Sequence, residues 1–441
     1  MLQNALVKGT FVLTVTGLIT RFIGFFFRIF LSHTFGAEQV GLYQLIFPIY
    51  ALCFSLSSAG IETALSRCVA RKIAQGKKQD ADLILYQSLL ISLSLSLILA
   101  LLIRKYATFL AIYILGDLRC EELIKLLAFA LPFATIHSCI CGYYLGRKQT
   151  KIPAISQLIE QLVRVASIYI LYQIAITRGA PISIQMAVVG LSIGETLSAL
   201  FCARCFCAAP HTKFVLPILW KNRRLTKELL GLAIPLTSNR ILMNVLQSIE
   251  SISMPLSLQK WGYSNSEALT IYGVLTGMAL PCILFPTALT SSVSTMLLPT
   301  VAEIQAESNL FRLKSLIRKV IYFGFGLGSL CGIIFLLLGP FAGNLLFDNT
   351  LAGSFIQTLS WICPFMYMNT TLISVINGLG KVKQALCINL AGLLTRITGV
   401  WFGIPHFGMN GYLIGLLISQ ILVSVLCMLQ VSLYLKKREL F

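Results

Sequence analysis

The sequence predicts an all-α polytopic membrane protein with about twelve transmembrane helices of ~20 or more residues each. Of its 441 residues, 57% are hydrophobic and only 12% are charged, whereas soluble domains average about 25% charged residues. The mean hydropathy is +0.83. Apolar runs of span length follow one another along the whole chain, so the bilayer must be the solvent of most of this surface.

Each predicted helix is an apolar run that ends at a short polar loop. The predicted spans are 10–33, 40–66, 83–104, 122–146, 154–177, 183–208, 228–256, 270–300, 319–340, 353–378, 386–404 and 411–435. The apolar run from Tyr106 to Leu115 is shorter than the ~20 residues that one crossing needs. We expect it to extend the third helix or to lie at the interface.

The net charge of +19 could indicate nucleic-acid binding, but the distribution of the charge favours a membrane explanation. Most lysines and arginines fall in loops after even-numbered helices or near the two ends of the chain. The loops of the opposite side hold Arg104, Lys105, Arg119, Lys125, Arg178 and Lys260. Because short cytoplasmic loops are enriched in Lys and Arg, we expect cytoplasmic N and C termini, a cell-membrane location and no nucleic-acid partner.

A basic loop over 209–227 divides the predicted helices into six and six. We therefore predict an N-terminal lobe (1–208), a basic cytoplasmic linker (209–227) and a C-terminal lobe (228–441). A weak internal repeat supports duplication: residues 142–165 resemble residues 377–400, and each copy ends in a span with one arginine. Both loops have the same predicted side, which indicates parallel repeats.

Placing an ionisable residue inside an apolar span costs free energy, so such residues usually have a functional role or pair with another charge. They are Arg21, Arg28, Glu62, Glu160, Arg164, Glu195, Arg240, Glu250 and Arg396. Glu160 and Arg164 are spaced i,i+4 and are expected to pair. We assign Glu62, Glu160, Arg164 and Glu195 either to structural ion pairs or to a coupling ion, H⁺ or Na⁺. Arg396 is close to the end of its span and is expected to snorkel.

Arg21 and Arg28 lie on one face of the first helix, ~10 Å apart along its axis. The residues between them, FIGFFF, contain no acid. Guanidinium groups bind phosphate oxygens bidentately, so we expect both to face a hydrated cavity and bind an anion. Pairing with Glu62, Glu195 or Glu250 is the alternative.

The seventh helix offers further polar groups for such a cavity, and prolines in the second half predict bent helices around a hydrated space. These candidates are Asn239, Arg240 and Glu250. The P-loop pattern GxxxxGK[ST] is not present, and we find no soluble region large enough for an active site. We expect a transporter rather than an enzyme, driven by an ion gradient, the membrane potential or the substrate gradient, and no cofactor.

One cysteine group superficially resembles a metal site: Cys202, Cys205 and Cys207 with His211. No second cysteine pair or histidine cluster in the sequence completes four ligands. We interpret these cysteines as small apolar side chains at a helix end and predict no metal.

Several stretches resemble the stage V sporulation protein B group of polysaccharide transporters, a branch of the multidrug/oligosaccharidyl-lipid/polysaccharide (MOP) exporter superfamily that also contains the bacterial lipid II flippase. These stretches are TRFIGFFFR, GIETALSR, SQLIEQLVR, IPLTSNR and LPTVAEI. The resemblance implies a MATE-like fold of two six-helix lobes around a cavity that opens alternately to either side. It also implies a bacterial cell membrane, a lipid-linked oligosaccharide on undecaprenyl pyrophosphate as substrate, and cell-wall synthesis enzymes as partners.

In the related lipid II flippase, arginines of the first helix line the cavity. The resemblance therefore implies pyrophosphate binding by Arg21 and Arg28, with Arg240 as a weaker match. Members of the group often have fourteen helices, of which the last two are associated with a lipid-tail groove in the lipid II flippase; this sequence accounts for twelve. Where relatives often have proline, this chain has Glu62, either a proton or cation site or a partner for Arg67 or Arg71.

The leading interpretation is thus a flippase of lipid-linked oligosaccharide. A cation-coupled multidrug antiporter of the same fold is one alternative, and it would need net acidic cavity walls, which the arginines of the first helix oppose. A non-transporting scaffold in cell-wall synthesis is the other.

Overall fold

The computed structural model describes residues 2–208, 223–307 and 309–439, and these residues contain helices and no strand. Eleven of the described helices are long and apolar enough to cross a membrane. The longest, Phe11–Ala74, has 64 residues and bends at Gly36. Each of its two arms exceeds the ~20 residues needed for one crossing. The predicted all-α polytopic membrane fold is confirmed.

Gly36 turns the chain between the first two spans without a loop. Helix Leu2–Phe54 continues on both sides of this residue, whose φ of 76° and ψ of 167° are not helical. This conformation is open essentially only to glycine. The π-helical turn Ser55–Ala59 and helix Gly60–Ala74 extend the second arm. We call residues 2–35 α1 and residues 37–74 α2.

The later spans occur in the predicted order. They are α3 (Lys78–Lys105), α4 (Cys120–Gly146), α5 (Lys151–Arg178), α6 (Gln185–Cys207), α7 (Arg223–Trp261), α8 (Asn265–Leu284 and Thr287–Ala306), α9 (Leu310–Phe347), α10 (Thr350–Gly378), α11 (Val382–Phe407) and α12 (Met409–Glu439). Two short pieces, Ala107–Phe109 and Leu110–Leu115, follow α3. They coincide with the apolar run that the sequence predicts to be too short for a crossing.

The structure divides α8 into two pieces, although the sequence predicts one helix over 270–300. Helix ends at Leu284 and resumes at Thr287, and Pro286 lies in the break. Proline has no N–H, and its ring clashes with the carbonyl of residue i−4, so a regular helix cannot continue through it. The hydroxyl of Thr287 donates to the Leu284 carbonyl at 2.5 Å and satisfies that acceptor. The first piece also contains the π-helical turn Val274–Ala279, as α2 contains one.

The described residues form two compact units. Unit 1 contains the residues up to Phe27 and those of Leu42–Ser248. Unit 2 contains Arg28–Gly41 and the residues from Ile249 onward. The core of unit 1 is built from α2, α3, α4, α6 and the start of α7. The core of unit 2 is built from the second piece of α8 and from α9 to α12.

The predicted lobes, 1–208 and 228–441, stay predictions. Most of the predicted linker, 209–222, lies outside the described residues. The units divide inside α1 after Phe27, inside α2 after Gly41 and inside α7 after Ser248.

Two glycines in unit 2 allow α8 to approach the bend region closely. A Cβ built on Gly41 would lie 2.2 Å from the Leu269 carbonyl oxygen, and one on Gly273 would lie 2.1 Å from the Ala37 carbonyl oxygen. Backbone atoms cannot give way as flexible side chains do. The absence of a side chain at these two positions therefore sets the spacing of the two segments.

Gly41→Ala is expected to destabilise the protein, measured as a lower melting temperature of the purified protein in detergent. Overpacking costs about 1–3 kcal/mol, which outweighs the ~1 kcal/mol that alanine gains over glycine within a helix. The matched control is Gly231→Ala in α7, where an added Cβ meets nothing within 4 Å. That variant should be neutral or slightly stabilised; equal melting temperatures for the two variants would contradict the packing argument.

Candidate functional site

Unit 1 contains an open cavity of about 350 Å³ with both polar and apolar lining. Its polar lining consists of Tyr50, Glu62, His137, Ser138, Cys141, Gln157, Glu160 and Glu195. These residues come from α2, α4, α5 and α6. Three of the four carboxylates that the sequence places inside apolar spans therefore meet in one cavity.

Glu160 and Glu195 line this cavity and form a charged cluster with Arg164 next to it. Glu160 and Arg164 are one turn apart on α5 and form an ion pair, as their spacing predicts. The Arg164 Nη2 atom also lies 3.9 Å from Glu195 Oε1 on α6. One guanidinium thus faces two carboxylates.

His137 on α4 lies beside the same two acids. Its Nδ1 atom is 3.8 Å from Glu160 Oε2 and 3.8 Å from Glu195 Oε2, and its Nε2 atom is 3.0 Å from the Ser156 hydroxyl. The Tyr50 hydroxyl donates to Glu195 at 3.5 Å. Because imidazole and carboxylate both bind protons, this group can exchange a proton or hold a small cation.

Glu62 lies at the edge of the cavity and accepts a hydrogen bond from the Ser138 hydroxyl at 2.8 Å. One of its two expected partners, Arg71, instead pairs with Glu228 on α7 at 3.0 Å, and Lys72 pairs with the same carboxylate at 2.8 Å. Arg71 thus has a different partner, because α7 brings the Glu228 carboxylate within reach of its guanidinium. A proton or cation role for Glu62 stays a prediction.

Glu250 occupies a different environment, in unit 2. Its side chain is buried and accepts hydrogen bonds from Arg396 at 2.8 Å and from the Tyr412 hydroxyl at 2.9 Å. The expectation that Arg396 snorkels is wrong, because α7 supplies a carboxylate within reach of its guanidinium. Glu250 thus forms a buried ion pair, and its role in substrate binding stays a prediction.

The other predicted cavity residues lie on α1 and α7. Arg21 is exposed, whereas Arg28 is half-buried and donates to the Thr276 carbonyl in the π-helical turn of α8 at 3.2 Å. Asn239 and Arg240 are exposed, and Arg240 donates to the Thr63 hydroxyl at 3.3 Å. None of these four residues lines the cavity of unit 1, and their substrate role remains a prediction.

Sequence reasoning missed His137, Tyr50 and Cys141, which the fold brings to the acids. A signal for two of them exists: His137 and Cys141 are spaced i,i+4 and share one face of α4. Cys202, expected to be an apolar side chain at a helix end, has its Sγ atom 4.0 Å from that of Cys141. His211 of the same predicted cysteine group lies outside the described residues.

Comparisons with known proteins agree with this architecture. The model of the family described as "Polysaccharide biosynthesis protein" matches residues 6–305. Stage V sporulation protein B of Bacillus subtilis (strain 168) is 28% identical over 97% of this chain and 83% of its own length. The lipid II flippase MurJ of the same organism is 26% identical over 172 residues, which are 37% of this chain and 32% of that protein.

Solved structures show the same fold. An inward-facing multidrug resistance MATE family transporter of the MOP superfamily superposes with a TM-score of 0.75, at 16% identity, over 95% of both chains. A MOP superfamily transporter from Pyrococcus furiosus superposes with a TM-score of 0.66, at 17% identity, over 99% of this chain and 96% of the other. The MATE-like fold is therefore shown. With a family model that matches more than half of its length, this chain belongs to the polysaccharide biosynthesis protein family.

Proposed function

We propose that this protein is a flippase that moves an undecaprenyl-pyrophosphate-linked oligosaccharide, lipid II or a related cell-wall or spore-cortex precursor, across the membrane by alternating access. The family match supports transport of a glycan-bearing substrate, and the name of one relative specifies lipid II. The observation that carries the proposal is the pair of guanidinium groups on one face of α1. In a chain of this family, a bidentate phosphate ligand is the natural partner of such a pair.

The helical continuity of α1 supports this proposal. Residues 2–35 form one helix, so Arg21 and Arg28 stay on the same side, ~10 Å apart along its axis. A pyrophosphate brings two phosphoryl groups, each with oxygens for a planar guanidinium fork. The substrate changes leaflet without covalent chemistry in this proposal, so the protein acts as a transporter and not as an enzyme.

Coupling to H⁺ or Na⁺ is the second part of the proposal, and the acidic cavity of unit 1 supports it. Glu160 and Glu195 share one guanidinium and an imidazole that is charged only when protonated. With a neutral imidazole, the two carboxylates and the guanidinium leave one negative charge. A proton or a sodium ion can balance this negative charge, since either is small enough to enter the cavity. The same acidity favours the antiporter alternative, which exchanges an organic cation for H⁺ or Na⁺.

Reconstitution into liposomes tests both parts. The purified protein is mixed with fluorescent undecaprenyl-pyrophosphate glycan, and exposure of the label is followed with a membrane-impermeant quencher, without a gradient, with a Na⁺ gradient and with a pH gradient. We expect protein-dependent exposure of the glycolipid that one of the gradients accelerates.

The same liposomes discriminate between the alternatives. Gradient-driven uptake of a fluorescent organic cation without glycolipid movement would contradict the flippase proposal and support the antiporter alternative. No movement of either probe, together with co-purification of cell-wall synthesis enzymes from the source cells, would favour a scaffold.

A further inference from the structure

A group of soft metal ligands lies next to the acidic cavity of unit 1. His137 and Cys141 project from one face of α4, and Cys202 projects from α6. One ligand atom of each residue lies within 4.8 Å of the corresponding atoms of the other two. The cysteines stand 61 positions apart in the sequence, so only the packing of α4 against α6 brings them together.

The distance between the two sulfur atoms matches a tetrahedral metal site. The two sulfur atoms are 4.0 Å apart, and two thiolates bound to one Zn²⁺ at ~2.3 Å each stand about 3.8 Å apart. Cys202 is fully buried and Cys141 is 8% exposed, while Cys141 and His137 also line the cavity. Protein atoms thus hold three ligands nearly in place, and the cavity gives an ion access to them.

The fourth position has two sources of oxygen. The hydroxyl of Ser156, which is fully buried, lies 3.0 Å from His137 Nε2 and 3.4 Å from Cys141 Sγ. Water from the cavity is the other source. Three protein ligands with an oxygen in the fourth position form a common zinc arrangement.

We propose that His137, Cys141 and Cys202 bind a thiophilic divalent cation of the Zn²⁺ class. Each thiol would lose its proton to solvent through the cavity as the metal binds. Two thiolates then cancel the charge of the ion, and the neutral complex avoids the large cost of burying an uncompensated charge. Sulfur ligands select such an ion over Na⁺, Mg²⁺ or Ca²⁺, which prefer oxygen.

Titration of the purified, metal-free protein with Co²⁺ tests this site. We expect one ion per chain, with thiolate-to-cobalt charge-transfer absorption in the near ultraviolet and the strong visible bands of a tetrahedral centre, both abolished by an excess of Zn²⁺. Loss of an outer-shell group typically weakens metal binding about 10–100-fold, so Cys141→Ser and Cys202→Ser should each weaken it by more than that. His137→Ala should remove the tetrahedral bands while both thiols remain.

Two matched variants separate this site from its neighbours. Cys205→Ser changes a half-buried cysteine about one turn from Cys202 and should leave the cobalt spectrum unchanged. Glu160→Gln with Glu195→Gln should also preserve the charge-transfer band. The proposal is overturned if the wild-type protein shows no saturable charge-transfer band, or if binding is lost in the carboxylate double variant and kept in Cys141→Ser. Melting curves of the metal-free variants establish that each one is folded.

Discussion

Arg21→Ala and Arg28→Ala are each expected to slow glycolipid exposure in liposomes about 100-fold. A hydrogen bond to a charged group contributes about 1.5–3 kcal/mol, and about 2.7 kcal/mol corresponds to a factor of ~100 in rate. Arg21→Lys and Arg28→Lys should fall between alanine and wild type, because lysine keeps the charge and loses the planar fork. Initial rates at equal reconstituted protein give the comparison.

The matched control is Arg178→Ala, which removes an exposed arginine at the end of α5 and should leave the rate unchanged. Since Arg28 also donates to the Thr276 carbonyl, melting temperatures must accompany the rates. Wild-type rates in both alanine variants would exclude pyrophosphate binding by α1. A rate that falls only together with the melting temperature would assign Arg28 a purely structural role.

Arg396→Ala is expected to cost about 3–5 kcal/mol of stability, the largest loss that we predict for a single substitution. It leaves Glu250, which is 3% exposed, as a buried charge whose remaining hydrogen bond comes from Tyr412. Removing one partner of a buried ion pair typically has a cost of this size. The readouts are the melting temperature and the yield of monodisperse protein.

A double variant and an exposed pair make this result specific. Adding Glu250→Leu to Arg396→Ala removes the stranded charge and should recover much of the stability, since buried pairs can often be replaced by apolar residues. Arg312→Ala breaks the exposed pair with Glu307, whose side chains are 58% and 45% accessible, and should cost at most about 1 kcal/mol. The interpretation of Arg396 would fail if the double variant were no more stable than the single one.

The sequence predicts the spans well because each one depends on local composition alone. An apolar run of ~20 residues can cross a bilayer whatever its neighbours do, and the i,i+4 pair of Glu160 and Arg164 follows from the geometry of one helix. The turn at Gly36 was harder to predict. Glycine tolerates many conformations, so its presence in a run does not reveal which of them it adopts.

The site is less predictable because its residues meet across helices. Arg396 and Glu250 are 146 positions apart, and periodicity reports which residues share a face without reporting which helix covers that face. The sequence therefore predicts that Arg396 snorkels, although Arg396 pairs with the buried Glu250. In the same way, the sequence shows Cys202 only as an apolar residue at a helix end. The packing of α6 against α4 places it beside Cys141.

The bend at Gly36 also constrains how this protein can evolve. With no loop between α1 and α2, the two backbone torsions of one residue set the angle between two transmembrane arms. Residues along either arm can be substituted while that angle is preserved. Position 36 has no such freedom, because almost any residue with a Cβ would force a different angle. The residue at position 36 therefore determines the angle between α1 and α2.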